Sequence, residues 1–352
     1  MLTGTHEIIV FAGFLLFIIL MLSFDLGVIN KRSHTLTFRE ALFWTIFWVG
    51  LAIMFYLLIR FFGNQLHGIR GKADIQALIN RYHHPISIVN SDLPKAIEDY
   101  NRNLSLEYLT GYLIEYSLSV DNIFVIIMIF LSFNIEQRYY HRVLFWGILG
   151  AIIMRFLFIF VASALIERFE WILMAFGVLL VYLGIKLGWE FFSGKIAEKI
   201  DTHHHPIVKF ISRFFSVTAE KSGQRFWIRK RGKIFITPLL IVLIVIEFSD
   251  VLFAVDSVPA VFSVTRDPLI VFFSNISAIL GLRALFFIVM NVMNRFRFLK
   301  LGLACLLSFI GVKMVLQFNI STNHSLGIII GILSVFVLLS MIFPGKKDHI
   351  DL

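Results

Sequence analysis

Nine stretches of the chain, roughly residues 7–29, 40–62, 106–133, 143–166, 169–192, 235–262, 268–292, 298–317 and 325–343, are long and predominantly apolar. Each approaches the about 20 residues that an α-helix needs to cross the hydrocarbon core of a bilayer. None alternates polar with apolar positions, as the strands of a membrane barrel must. The pattern predicts an all-α polytopic membrane protein with about nine transmembrane helices.

Composition removes the alternatives. Of the 352 residues, 58% are hydrophobic, 16% are charged and 39 are Phe; soluble domains run at about 45–50% apolar and 25% charged. Mean hydropathy is +0.84. A soluble enzyme and a disordered chain are excluded. So is a disulfide-stapled domain, because Cys305 is the single cysteine. The acidic start, with Thr5, His6 and Glu7, has no basic n-region, so the first apolar run is expected to stay as a membrane helix.

The polar segments predict organisation and orientation. Lys31, Arg32 and Arg39, then Arg138 and Arg142, the basic run from Lys195 to Lys233, then Arg295, Arg297 and Lys300, and finally Lys346 and Lys347 all fall on one face if there are nine crossings. The intervening short loops carry little beyond Arg168 and Arg266. Positive loops stay cytoplasmic, which predicts the N-terminus outside and the C-terminus inside. The net charge of +9 then belongs to a membrane protein's inner loops rather than to a nucleic-acid binder. Six units follow. Residues 1–62 hold the first two helices, and 63–104 form an extracytoplasmic polar insertion in which Ile75, Leu78 and Ile79 predict a short amphipathic helix. Residues 105–193 are a first three-helix unit, 194–234 a basic cytoplasmic loop expected to lie on the anionic leaflet, 235–318 a second three-helix unit, and 319–352 the ninth helix with a cytoplasmic tail.

The two three-helix units repeat one another. Glu115 precedes Val120-Asp121-Asn122 by the offset at which Asp250 precedes Val255-Asp256-Ser257. Arg155-Phe156-Leu157 parallels Arg283-Ala284-Leu285, and Leu183-Gly184-Ile185-Lys186 parallels Ile310-Gly311-Val312-Lys313. Three spans is an odd number, so consecutive units insert with opposite orientation. That is the inverted repeat of secondary transporters, whose sites lie near the midplane between repeats.

The chemistry follows from charges that apolar helices rarely tolerate. A charged side chain at mid-bilayer costs from about 2.5 to more than about 10 kcal/mol depending on the reference scale. Asp25, Glu115, Asp121, Arg155, Lys186, Glu247, Asp250, Asp256, Arg283 and Lys313 all sit in apolar spans. Glu115 and Asp121 are separated by about 600° of helical turn and do not share a face; the same holds for Asp250 and Asp256. Either the helices are interrupted near the acids, for which Gly111 and Pro259 offer places, or the repeats pair so that Asp121 meets Asp256 and Glu115 meets Asp250. The second is preferred. With Asn122, Ser257 and Asn275 nearby in sequence, the set is all oxygen and anionic, suited to Mg²⁺, Ca²⁺ or Mn²⁺ rather than to copper or zinc. Clustered carboxylates also hold protons, which makes metal–proton exchange natural. The blander role for these groups is internal ion pairing that staples the bundle. For Arg155, Arg283, Lys186 and Lys313 that role stands beside neutralising the carboxylates when no cation is bound.

Other features say less. His203-His204-His205 and His83-His84 read as solvated loop, Cys305 as a small core residue, and Gly327 with Gly331 as a weak helix-packing signal. No phosphate-cradling loop, nucleophile elbow, zinc-protease motif or nucleic-acid module occurs, so neither an enzyme nor a resident cofactor is expected.

Glu-Tyr-Ser-Leu-Ser-Val-Asp-Asn at 115–122, Phe-Ser-Asp-Val-Leu-Phe-Ala-Val-Asp-Ser-Val-Pro-Ala at 248–260, and Ser-Asn-Ile-Ser-Ala-Ile-Leu-Gly-Leu-Arg-Ala-Leu at 274–285 resemble the TerC family of bacterial integral membrane proteins. Phe24-Asp25-Leu26-Gly27-Val28 resembles its Alx-like branch. The resemblance implies manganese export through inverted three-helix repeats. Its acidic motif falls on Glu115, Asp121, Asp250 and Asp256, with Asn122 beside them. The expectation is an inner-membrane Mn²⁺ exporter that uses protons as coupling ion. Its ligands would be Glu115, Asp121, Asn122, Asp250 and Asp256. Asp25, Glu247, Ser257 and Asn275 would support them, and Arg155, Arg283, Lys186 and Lys313 would balance charge. An exporter of a small organic solute, and a metal-delivery or assembly partner working with secretion machinery through residues 63–104, are the alternatives.

Overall fold

The computed structural model describes residues 5–29, 37–133, 135–169, 171–193, 216–217, 225–230, 233–292, 298–316 and 322–343. The side chains of Asp25 and Asp121 and the His203–His205 tract lie outside the described residues. Among the described residues there are eleven α-helices: α1 Thr5–Ile29, α2 Phe38–Leu66, α3 Lys72–Tyr82, α4 Leu93–Ser132, α5 Tyr140–Arg168, α6 Trp171–Phe192, α7 Pro238–Phe262, α8 Pro268–Leu280, α9 Leu282–Val292, α10 Leu299–Val315 and α11 Thr322–Ile342. The protein is an all-α polytopic membrane protein. Among the described residues seven helices are long and apolar enough to cross a membrane, or eight if α8 and α9, bent by 45°, form one span. The stretch 298–317 is the 17-residue α10, shorter than the about 20 residues of a straight crossing.

Local chemistry sets the helix ends. Thr37 and Glu40 form a capping box at the start of α2. Asp92 caps α4, with Pro94 in its first turn, so that helix begins at Leu93 rather than near residue 106. The apolar positions Ala96, Tyr100 and Leu104 are buried at spacings of four, and this amphipathic start carries α4 through the polar insertion. In α3, Ile75 and Ile79 are buried, the face its spacing predicts. That helix stops at His83, whose left-handed backbone (φ 56°, ψ 41°) turns His84 back into the protein.

The core forms around α4. Its apolar window is 59% buried against 17–33% in the other long spans, because α2, α7, α8, α9 and α11 all pack on it. The two three-helix units meet in a reciprocal pattern: α4 on α7, α4 on α8, α5 on α7, and α6 on α10. The last is close enough to exclude side chains. A Cβ on Gly311 would stand 2.6 Å from the Gly177 carbonyl, and one on Gly184 2.8 Å from the Ala304 carbonyl. The same shift along the chain relates Gly184 to Gly311 and Gly177 to Ala304.

Several expectations change. Neither α4 nor α7 is interrupted at its acids; the break falls at Gly281 between α8 and α9. Pro259 is accommodated in the last turn of α7. The basic loop contributes a small sheet, β1 Ser216–Val217, β2 Trp227–Lys230 and β3 Lys233–Ile236, in the order β1-β3-β2 with β1 parallel and β2 antiparallel to β3. Cys305 is exposed rather than in the core. Gly327 and Gly331 face open space instead of packing against a helix of this chain.

Candidate functional site

At the middle of the bundle, charges from both three-helix units converge on one guanidinium. Arg155 of α5 is fully buried. Its Nη1 donates to Glu115 Oε1 and to Asn275 Oδ1 at 2.8 Å. Its Nη2 reaches Asp250 Oδ1 at 3.5 Å. Asn275 Nδ2 donates to Glu115 Oε2 at 2.8 Å, so α4, α5, α7 and α8 are tied at a single point. Each buried ion carries a desolvation penalty of several kcal/mol, about balanced only when partners and hydrogen bonds are good. Glu115 has them; Asp250 does not, because its Oδ2 has no hydrogen-bond partner among the described residues.

Helical spacing extends the cluster. Glu115, Ser119 and Asn122 lie at i, i+4 and i+7 on α4, and Asp250 and Ser257 at i, i+7 on α7, one stripe on each helix. Ser119 Oγ, Asn122 Nδ2 and Ser257 Oγ are buried without a hydrogen-bond partner among the described residues. Buried polar groups without partners are few in folded proteins; these three share the helix stripes of the two acids, and others, His84 Nε2 and Glu107 Oε2 among them, lie at a different place in the bundle. Glu247, one turn from Asp250, lies against Gly150 of α5, where a Cβ would run into its carboxylate. Asp256 is half-buried.

Not every expected residue joins. Arg283 is buried elsewhere, 3.2 Å from His141 Nε2. Lys186 is exposed on α6 and pairs with Glu190 at 3.9 Å; a lipid-facing lysine with its own carboxylate has no need of the central acids. Lys313 donates to Ser263 O at 3.2 Å and Ser325 Oγ at 3.1 Å, near the end of the bundle that carries residues 63–104, here called the insertion end. Among the described residues no three His, Cys, Asp or Glu side chains are grouped closely enough to hold a metal ion. Arg155 stands between Glu115 and Asp250.

A second buried network occupies the insertion end, and the sequence reading missed it: His84, expected in a solvated loop, is buried. His67, just after α2, places Nδ1 2.9 Å from Glu7 of α1 and Nε2 2.9 Å from Asp267, the N-cap of α8. All three side chains are at most 5% exposed. Burial pulls the His67 pKa down, but Asp267 and then Glu7 outweigh it and raise it to about 9. Nearby, His84 Nδ1 lies 2.8 Å from Glu107, which also accepts from Asn103 at 2.7 Å. Burial likewise opposes and Glu107 raises the His84 pKa, with a net rise. Only two sequence signals marked these groups: Asp267-Pro268 as a helix start, and Glu107 as a charge inside an apolar run.

Comparison with known proteins adds lineage. A model of the integral membrane protein TerC family matches residues 100–348. A Salmonella typhi protein provisionally named membrane-bound redox modulator Alx is 40% identical over 345 residues, 97% of this chain and 96% of its own. The Escherichia coli K12 protein of the same name is 40% identical over 330 residues, 92% of each chain. An uncharacterized membrane protein of Myxococcus xanthus is 38% identical over 340 residues, 96% of this chain and 92% of its own. No solved structure matches.

Proposed function

Because the chain belongs to the TerC family of integral membrane proteins, we propose that it exports Mn²⁺ across a bacterial inner membrane in exchange for protons. Glu115, Asp121, Asn122, Asp250 and Asp256 would meet the cation. The N-terminus would lie outside and the C-terminus inside. The observation that carries this reading is the buried Glu115–Arg155–Asp250–Asn275 cluster, which joins the two repeated units at mid-bundle. Ionisable residues retained at such depth mark ion pathways by default, and inverted-repeat transporters carry their sites between the repeats.

In the mechanism, Arg155 holds the acids while no cation is bound. Mn²⁺ prefers several carboxylate and carbonyl oxygens; its arrival between Glu115 and Asp250 displaces the guanidinium. Asn122, Ser119 and Ser257 would then supply further oxygens along the two stripes. The relatives' name points to redox modulation. A single cysteine cannot form an intrachain dithiol couple.

The test is manganese clearance by cells carrying Glu115→Gln, Asp121→Asn, Asp250→Asn or Asp256→Asn, with membrane insertion verified. Loss of clearance in each supports the site. Normal clearance in all four overturns it.

A further inference from the structure

We propose that Glu7, His67 and Asp267 form a proton-binding site at the insertion end, and that α8 connects it mechanically to the Arg155 cluster. Its part in flux rests on the transport reading above; the proton site itself stands on geometry.

With Glu7 and Asp267 both ionised, the geometry requires a doubly protonated ring. Both His67 nitrogens face carboxylate oxygens at 2.9 Å, and a carboxylate accepts but does not donate, so each contact needs an N–H. A neutral imidazole has one. Losing the proton breaks either the tie to α1 or the tie to α8. Proton occupancy and the joining of α1, α2 and α8 are therefore one event.

The surroundings leave the two carboxylates in control. Tyr82 of α3 and Tyr100 of α4 pack on the ring, with centroids 5.9 and 6.5 Å away. His84, with Glu107, lies against the same tyrosines. His6 packs on Gly68 beside the ring, and Arg266 is turned toward His83 at 3.5 Å. In this closed arrangement the ring holds its proton up to about pH 9. Separated from the carboxylates and hydrated, it would return to about 6.5. Opening this end between those values releases a proton, and closing it takes one up.

The connection runs along α8. Asp267 uses its Oδ1 to accept from Leu269 N at 3.0 Å and its Oδ2 for His67, so one carboxylate is both helix cap and proton partner. Eight residues on, about 12 Å along the helix, Asn275 bonds Glu115 and Arg155. The helix is short and bends by 45° from α9 at Gly281, so it can move as a rigid piece. His67 is in this sense a positioning residue: it touches no cation and acts through Asp267.

Two measurements on the purified full chain test this. The first follows the imidazole resonances, and the Asn275 side-chain amide, by NMR against pH in wild type, His67→Gln and Asp267→Asn. Asn caps a helix as well as Asp, so Asp267→Asn removes charge and keeps α8 started. Wild type should show one histidine titrating near pH 9, absent in His67→Gln, with the Asn275 amide shifting at the same midpoint. Asp267→Asn should move both midpoints toward neutral by about one unit or more. A His67 that titrates near 6.5 in wild type overturns the proton site; an Asn275 amide blind to it overturns the connection. The second measures Mn²⁺ uptake into proteoliposomes against pH. A profile displaced in Asp267→Asn and flattened in His67→Gln supports coupling, and an unchanged profile in both contradicts it. If wild type moves no Mn²⁺, the transport reading fails while the NMR titration still decides the proton site.

Discussion

Arg155 of α5 reaches Asp250 of α7 at 3.5 Å while its other amino group holds Glu115 of α4. One guanidinium therefore balances acids from both three-helix units, and it does so with no exposed surface. Two carboxylates against one guanidinium leave the cluster short of positive charge, the condition in which a divalent cation is attracted.

Removing Arg155 should unsettle the fold as well as the site. Arg155→Met leaves Glu115 buried without its cation, and breaking a buried pair in this way costs about 3–5 kcal/mol. Thermal unfolding in detergent should show a lowered midpoint, partly recovered when Glu115→Gln is added. An unchanged midpoint in the single variant would mean that the pair contributes nothing to stability.

The α6–α10 contact gives a sharper packing test. Gly311→Ala pushes a methyl group into the Gly177 carbonyl, and overpacking of this kind costs about 1–3 kcal/mol. Gly327→Ala and Gly331→Ala meet nothing within 4 Å and should lose no stability, each gaining up to about 1 kcal/mol from the better helix propensity of Ala. Equal losses in the two classes would contradict the backbone contact.

His84 and Glu107 predict a pH dependence separate from that of His67. The His84 pKa is raised on folding. The stability it contributes is therefore complete below its ordinary value and fades as pH rises through the raised one. Glu107→Gln should lower the melting point most in mildly acidic and neutral solution and make little difference at high pH. A loss that is uniform across pH would assign Glu107 a purely steric role.

The polar insertion is part of the packed structure. Ile75, Ile79, Tyr82, Ile88, Tyr100 and Leu104 are all buried, so excising residues 63–104 would expose apolar surface and disconnect α4 from its cap. Exchanging the exposed charges Lys95 and Glu98 is the gentler probe of a partner surface. Manganese flux should survive both exchanges; loss of flux in folded protein would favour a delivery role.

Long apolar runs and the spacing of Ile75 and Ile79 were readable in the sequence because local pattern alone determines them. The repeat led to the expectation that Glu115 meets Asp250; in the structure each reaches Arg155 instead. The insertion-end network was not readable: Glu7 lies 60 residues from His67, and Asp267 lies 200 beyond it. No local pattern predicts that three segments so far apart will share one imidazole. Lys186 and Lys313 show the converse limit. They occupy matching places in the repeat, yet one faces outward beside Glu190 and the other is tied to Ser263 and Ser325, because α11 and the insertion cover only one of the two positions.

The most direct measurement is Mn²⁺ flux into proteoliposomes, with and without a pH gradient, for wild type and for Asp250→Asn of matched thermal stability. The account predicts gradient-dependent flux in wild type that is lost in the variant. Flux that survives the substitution would show that the Arg155 cluster is structural and that the cation crosses elsewhere.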